Sequence, residues 1–355
     1  MCARVCVRCW SLPESLWSSG VSSLNGQSFQ SAAERVLRKS CVTVTGRFLT
    51  NLQRARVAMA LSKLSGDEQG IILGQLCNAL EPRLAVYFGS ASSELRLLLT
   101  PALLQQLRAD HEVAAALCLK VGRSCKELRA AQRVCWINNC LSAADLATLA
   151  TLGSVLPALE LLLLNEVSTG AAGPDGVQRL AEGLGAGALP AVRFLDLGYM
   201  HVGDAGAEAL AAALGRGALP RLKSLGLPRA ALCDAGLVAL APALRRRSAL
   251  ESLIFFHNPF GDEGLAALVA PPPAAGAPPP PSTGGLKKLK ELDLRNTQVT
   301  DAGCATLASA INSGALPALK VLMLDGIPAS AAARAAAVQA ACAAALARSR
   351  VGLSS

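Results

Sequence analysis

A periodic pattern in the second half of the chain restricts its fold more than any other feature. Four segments share the apolar spacing L-x-x-L-x-L, followed by glycine 14 positions and leucine 18 positions after the first apolar residue. These segments begin at Val192, Leu222, Leu250 and Leu289. Weaker copies begin at Ala131, Leu159 and Leu319, so the seven starts lie 28 to 39 residues apart. A period of this length indicates repeated structural units that stack on one another.

Each segment predicts one short strand followed by one helix. The alternating apolar residues are typical of a strand that is buried on one side. Asp-x-Gly comes next, and we expect this aspartate to stabilise the N-terminus of the helix that it starts. Leucines such as Leu210 and Leu214 then give the helix an apolar stripe. A Gly-Ala-Leu-Pro sequence beginning at Gly187, Gly217 and Gly314 predicts the end of the helix.

These residues resemble the leucine-rich repeats of ribonuclease-inhibitor-like proteins, which contain one strand and one helix per repeat. The resemblance covers residues 131–346 and implies an α/β solenoid, a leucine-rich-repeat horseshoe of about seven strand–helix units. In that family an asparagine follows the third leucine, and here it is present as Asn139 and Asn258. The proline-rich segment 271–285 lengthens one repeat, and we expect an exposed loop there.

The resemblance implies that the parallel strands line a concave face, which we expect to bind a protein or peptide. Side chains that alternate with the leucines point toward this face. Aromatic and arginine side chains among charged ones are typical of protein-binding surfaces. The candidate partner-binding residues are Arg133, Ile137, Leu163, Asn165, Phe194, Asp196, Tyr199, Ile254, Phe256, His257, Glu291, Asp293, Arg295 and Met323.

Residues 57–130 predict a small all-α segment before the repeats. The apolar spacing indicates one helix that includes Leu80, a second that runs from Leu84 through Leu95, and a third that starts at Thr100-Pro101. The order of these helices resembles an F-box, which binds the adaptor of a cullin–RING ubiquitin ligase. The resemblance implies adaptor contacts by Ile72, Leu76, Pro82, Leu84, Phe88 and Leu95. A helical cap of the repeat array explains the same helices, so both interpretations stay open.

The formal net charge of +9 comes mainly from the ends of the chain. Residues 1–56 contain eight basic and two acidic residues, whereas residues 131–346 contain sixteen of each. A nucleic-acid-binding fold needs a basic surface of its own, so we expect no nucleic-acid partner. Residues 1–56 therefore predict a disordered basic arm, with an organelle transit peptide as the alternative. Residues 347–355 form a short basic tail.

The sequence contains no pattern typical of a catalytic or metal site. Its twelve cysteines lack paired C-x-x-C spacing, which argues against structural zinc and favours a reducing compartment, the cytoplasm or nucleus. The three histidines are not accompanied by a nucleophile elbow. We therefore expect a binding protein without enzymatic activity, without a cofactor and without a membrane span.

Three functions stay open on this basis. The first is an F-box-type substrate receptor of a cullin–RING ubiquitin ligase, in which the repeats select the target. The second is a stand-alone scaffold or recognition module that uses the repeats alone. The third is a Ran-type GTPase-activating protein, because those proteins are similar in repeat type, although they have an acidic tail and this tail is basic.

Overall fold

The protein is described by a computed structural model that covers residues 65, 69, 70, 73, 76–89, 93–166, 172, 175–269 and 286–351. Within these ranges the side chains of residues 87, 88, 93–95 and 347–351 are not described. Outside the described residues lie the predicted arm 1–56, the proline-rich segment 271–285, Ile72 and residues 352–355. The chain forms two compact units, Met1–Val113 and Ala114–Ser355.

The described part of the first unit is helical. Its helices are α1 (Arg83–Gly89), α2 (Ser93–Leu98) and the portion of α3 (Pro101–Lys120) that ends at Val113. α3 starts where the sequence predicts, and Thr100 caps it, because its Oγ1 accepts a hydrogen bond from the backbone N–H of Leu103 at 3.2 Å. The buried side chains of Leu73, Ala85 and Leu107 form a small apolar core.

Two of the predicted helices differ in the structure. The helix expected from Leu84 through Leu95 is two helices, since α1 ends at Gly89 and α2 starts at Ser93. The preceding helix also ends before Leu80. Here the side chain of Asn78 accepts a hydrogen bond from the backbone N–H of Leu80 at 2.8 Å. This local bond favours a turn over continued helical hydrogen bonding.

The second unit alternates strands with helices, as the repeat pattern predicts. Its strands are β1 (Arg133–Ile137), β2 (Leu161–Asn165), β3 (Phe194–Asp196), β4 (Ser224–Gly226), β5 (Ser252–Ile254), β6 (Glu291–Asp293) and β7 (Val321–Met323). Its helices after α3 are α4 (Cys125–Ala130), α5 (Ala143–Thr151), α6 (Gly176–Gly183), α7 (Gly203–Gly215), α8 (Asp234–Arg245), α9 (Asp262–Val269), α10 (Asp301–Asn312) and α11 (Ala331–Val351). A short 3-10 helix, Leu152–Ser154, follows α5.

The seven described strands form one parallel sheet in chain order, β1 to β7. The register keeps equivalent residues of successive repeats together, so that Leu195 pairs with Leu225 and Leu225 with Leu253. These leucines are buried, and so are helix residues such as Leu210 and Leu240. The apolar core therefore consists mainly of aliphatic side chains from the inner side of the sheet and from the helices, together with the buried rings of Trp136, Phe255 and Phe260.

The aspartate of each Asp-x-Gly sequence stabilises the next repeat, which the sequence analysis did not predict. The Oδ1 atom of Asp234 accepts hydrogen bonds from the backbone N–H groups of Gly261 at 2.8 Å and Gly264 at 2.7 Å. These N–H groups lie at the start of α9, whereas Asp234 itself starts α8. Equivalent bonds to the following repeat are made by Asp204, Asp262 and Asp301. Each aspartate also lies in the first turn of its own helix, as the sequence predicts, but its hydrogen-bond partners belong to the following repeat.

The glycine of this sequence provides room for that contact. A Cβ atom added to Gly264 would lie 2.9 Å from Asp234 Oδ1 and 3.2 Å from two carbon atoms of Leu237. Real Cβ atoms essentially never approach other atoms this closely, so a larger residue would displace the aspartate. The repeated Asp and Gly are thus two halves of one contact between neighbouring repeats.

Asparagine also joins neighbouring repeats, but at only one of the two expected positions. Asn258 is buried, accepts hydrogen bonds from the N–H groups of Ala230 and Leu232 at 3.0 Å, and donates to two backbone carbonyls. Asn139 instead donates to the carbonyl of its neighbour Ile137. Beside β1 and β2, the buried carboxylate of Glu166 accepts hydrogen bonds from the backbone N–H groups of Cys140 and Leu141 in the preceding repeat. Glu166 thus makes in the second repeat a contact like the one that Asn258 makes with the repeat before it.

Candidate functional site

The sheet of the second unit exposes one side, which we refer to as the strand face. It comprises the outward positions of β1 to β7, which alternate with apolar, mostly buried residues, together with the residues that directly follow each strand. Ten of the predicted residues occupy outward strand positions: Arg133, Ile137, Leu163, Asn165, Phe194, Asp196, Ile254, Glu291, Asp293 and Met323. The other four, Tyr199, Phe256, His257 and Arg295, follow the ends of strands.

Left-handed backbone conformations recur at one position after the strands. The residues at this position are Asn138, Tyr199, Arg229, His257, Asn296 and Gly326, with φ angles between 49° and 73°. Asparagine and glycine adopt this conformation at little cost, whereas other residues are strained by it. Tyr199, Arg229 and His257 form the central part of this row, so the middle repeats retain large side chains where the backbone favours small ones.

The first aromatic cluster of the strand face consists of Tyr199 and Arg229. The guanidinium carbon of Arg229 lies 5.4 Å from the centroid of the Tyr199 ring, which is a cation–π contact. The Arg229 side chain is exposed, and it forms no ion pair with any of the described residues. Sequence reasoning missed Arg229, although its position two residues after Leu227 matches that of Tyr199 after Leu197.

The second cluster contains Phe256, His257, Asp293 and Arg295. Arg295 lies 5.4 Å from the Phe256 ring centroid and donates two hydrogen bonds to Asp293, of 2.9 and 2.6 Å. The Asp293 carboxylate raises the pKa of the Arg295 guanidinium. The Asp293 side chain is only 2% exposed, so the sequence-based expectation that it contacts a partner directly needs correction. Asp293 instead holds the exposed arginine in place.

The outward positions of β4 carry small residues, Ser224 and Gly226, whereas the neighbouring strands carry Phe194 and Asp196 on β3 and Ile254 on β5. We refer to this strip as the trough, with the two β4 residues as its floor. A Cβ atom added to Gly226 would lie 3.0 to 3.2 Å from the carboxyl atoms of Asp196, so that carboxyl group lies over the glycine. Burial raises the pKa of Asp196. The sequence analysis missed both floor residues because they lack large side chains.

Charged side chains form a further row at the N-terminal ends of the strands, which the sequence analysis did not predict. Glu251 pairs with Lys223 at 2.8 Å and with Lys290 at 2.6 Å, and Arg193 lies 3.8 Å from Glu160. Hydrogen bonds from the two lysines lower the pKa of Glu251 to about 2. These residues occupy equivalent positions in successive repeats, so they hold neighbouring repeats in register.

The predicted adaptor-binding residues of the first unit are only partly described. Leu76, Pro82 and Leu84 are half-buried, and Leu76 packs against the small core. Ile72 and the side chains of Phe88 and Leu95 lie outside the described residues. Two apolar residues that the sequence analysis did not single out are more exposed, namely Val86 at 50% and Leu97 at 80%.

In the described part of the chain, no group of three or more His, Cys, Asp or Glu side chains is arranged to hold a metal ion. Among the same residues, no helix has the length and apolar character needed to cross a membrane.

Comparison with known families supports the assignment of the repeats. The family described as a leucine-rich repeat matches residues 190–211, 249–269 and 285–308. Each match starts at most four residues before the beginning of a repeat identified from the sequence. Together with the seven-stranded parallel sheet, these matches identify the fold of the second unit as a leucine-rich-repeat solenoid. A comparison with curated proteins finds no match.

Proposed function

We propose that this protein recognises a protein or peptide target with the strand face of its repeats. The observation that carries the proposal is the pair of arginine–aromatic clusters on the strand face, Tyr199 with Arg229 and Phe256 with Arg295. Tyrosine and arginine are among the residues that contribute most binding energy in protein interfaces. The trough between the clusters would receive an extended segment of the target.

The left-handed row supports the same proposal. Strain of this kind is maintained in proteins chiefly where the side chain is needed. Asn138 and Gly326 show that the repeat tolerates low-cost residues at this position, yet Tyr199, Arg229 and His257 are retained in the middle. We infer that these three side chains are kept for contact with the target.

Site-specific photo-crosslinking tests this proposal. Benzoylphenylalanine would replace Ser224 on the floor of the trough, and in a matched control it would replace Val238, a half-exposed residue of α8. We expect mass spectrometry to identify one specific protein that is crosslinked from position 224 in cells and not from position 238. Adducts that form equally from both positions, or only from position 238, would reject the strand face as the binding surface.

We propose as a second function that residues 57–130 bind the adaptor of a cullin–RING ubiquitin ligase, in the cytoplasm or nucleus. The observation in favour is the exposure of Val86 on α1 and Leu97 on α2, since exposed apolar side chains on a small helical unit are typical of docking surfaces. The F-box resemblance of the same residues supplies the identity of the expected partner.

Pull-down of the purified adaptor by the full-length protein tests this second function. Leu97→Asp should abolish retention without unfolding the protein, because Leu97 is exposed, whereas Leu84→Asp and Phe88→Ala probe the residues chosen from the sequence. The control is Val338→Asp, an exposed residue of α11 that lies outside residues 57–130. Absence of retention by the unmodified protein, or retention unchanged by all three substitutions in 84–97, would exclude the ligase function.

A further inference from the structure

Asp196 differs from the other carboxylates on the outward positions of the described strands. Asp293 is paired with Arg295, and Glu291 accepts a hydrogen bond from the hydroxyl of Ser252 at 2.8 Å. The Asp196 carboxylate accepts only the backbone N–H of Gly198, at 2.8 Å. No lysine or arginine of the described residues lies within ion-pair distance of it. Asp196 is thus a half-buried anion without a cation.

The residues beside Asp196 in the sheet carry no charge. In the sheet register its neighbours are Leu163 of β2 and Gly226 of β4. Phe194 lies two positions earlier on the same side of the same strand. An uncompensated carboxylate in such surroundings is costly, because few polar groups replace the water that it has lost. A cationic group placed beside it would recover part of this cost.

The shape of this site discriminates among cations. Lysine and arginine carry a methylene stem that packs on apolar surfaces while the charged end group reaches a polar partner. Leu163 and Phe194 provide such a surface, and an aromatic ring additionally attracts a cation. Because Gly226 has no side chain, the Asp196 carboxyl group lies over β4, beside the trough.

We propose that the trough binds an extended target segment through one lysine or arginine side chain, whose charged end group pairs with Asp196. The stem of that side chain lies against Leu163 and Phe194, and the segment continues over Ser224 and Gly226. This inference rests on the proposed function of the strand face, and it adds the chemical identity of the residue that the target must present.

A peptide library on phage tests the inference with the full-length protein. Random heptapeptides would be selected on the unmodified protein, and the strongest peptide would be synthesised with lysine and with the isosteric, uncharged norleucine at its basic position. We expect the selected peptides to share one lysine or arginine. Replacing it by norleucine should weaken binding at least about tenfold, because it removes a charge-assisted hydrogen bond from a partly buried site.

Variants of the protein complete a double-mutant cycle. Asp196→Asn keeps the shape of the side chain and removes its charge, so it should weaken the lysine peptide about tenfold and leave the norleucine peptide unchanged. Glu208→Gln, at an exposed position of α7, is the control and should change neither affinity.

Other outcomes separate this inference from the proposed function. Ile254→Ala alters the trough without touching a charge, and peptides that depend on Ile254 but contain no shared basic residue would overturn the inference alone. Peptides that are insensitive to both Asp196→Asn and Ile254→Ala would count against the strand face as well. A selection that yields no peptide would also overturn the inference.

Discussion

Removal of the Asp234 carboxylate should loosen the junction between two neighbouring repeats. Asp234 starts α8, but its Oδ1 accepts the backbone N–H groups of Gly261 and Gly264 at 2.8 and 2.7 Å, at the start of α9. Asp234→Ala leaves both N–H groups without this acceptor. Asp234→Asn keeps an oxygen of the same size at the same place and removes only the charge.

The expected loss for Asp234→Ala is about 2 kcal/mol of unfolding free energy, since removal of a helix cap costs about 0.5–2 kcal/mol and two N–H groups are affected here. Asp234→Asn should lose about half as much, because hydrogen bonds to a charged acceptor are roughly twice as strong as neutral ones. Urea denaturation followed by circular dichroism measures both values. Hydrogen exchange of the Gly264 amide reports the same loss locally.

The matched control is Asp175→Ala. Asp175 also precedes a helix, α6, but its side chain makes no capping hydrogen bond. We expect this change to alter stability by less than about 0.5 kcal/mol. A loss for Asp234→Ala that is no larger than the loss for Asp175→Ala would refute the view that the aspartates join successive repeats.

Further changes test the packing and the charges between repeats. In the same urea denaturation, Gly236→Ala should lower the unfolding free energy by about 2 kcal/mol, because the added methyl group would contact Asp204. Gly215→Ala should leave the unfolding free energy unchanged or raise it by up to about 1 kcal/mol, because no atom lies close to the added methyl group. Asn258→Ala should lower the unfolding free energy, measured by thermal denaturation, by about 3 kcal/mol, because the buried Asn258 side chain accepts hydrogen bonds from two backbone N–H groups. A loss below about 1 kcal/mol would contradict this expectation. The pKa of Glu251 is lowered from an ordinary value of 4.5 to about 2, so its stabilisation is present above pH 4.5 and lost as the pH falls toward 2. Urea midpoints of the unmodified protein and Glu251→Gln should therefore converge over that range, and a constant difference would argue against the ion pairs.

The regular features of the second unit could be predicted because they are encoded over short distances along the chain. The alternation of leucines fixes each strand, and Leu210 with Leu214 fixes the buried side of α7. The contact of Asp234 could not be assigned in this way, because its partners lie in the following repeat and only the stacking of repeats brings them together. Glu166 was missed for the same reason, since its partners lie in the preceding repeat.

The strand face was predicted by its large side chains, and this explains what was missed. Alternation along strands identifies Phe194, Ile254 and Asp196 as outward-facing, but it assigns no role to Gly226, whose importance lies in the room that it leaves. Arg229 was missed although it occupies the same position after its strand as Tyr199 and His257, which were predicted. The buried state of the Asp293 carboxylate depends on the conformation of Arg295, which no spacing rule contains.

If the strained side chains of the middle repeats are kept for binding a target, replacing one of them by glycine should weaken that binding. Arg229→Gly relieves the left-handed backbone strain while it removes the guanidinium group. The target protein identified by crosslinking from position 224 would be titrated into the Arg229→Gly variant by isothermal titration calorimetry. We expect the affinity of the variant to be at least about tenfold lower than that of the unmodified protein, and its unfolding free energy to be unchanged or higher. Arg246→Ala, at an exposed arginine after α8, should leave the affinity unchanged. Unchanged affinity for Arg229→Gly would contradict the claim.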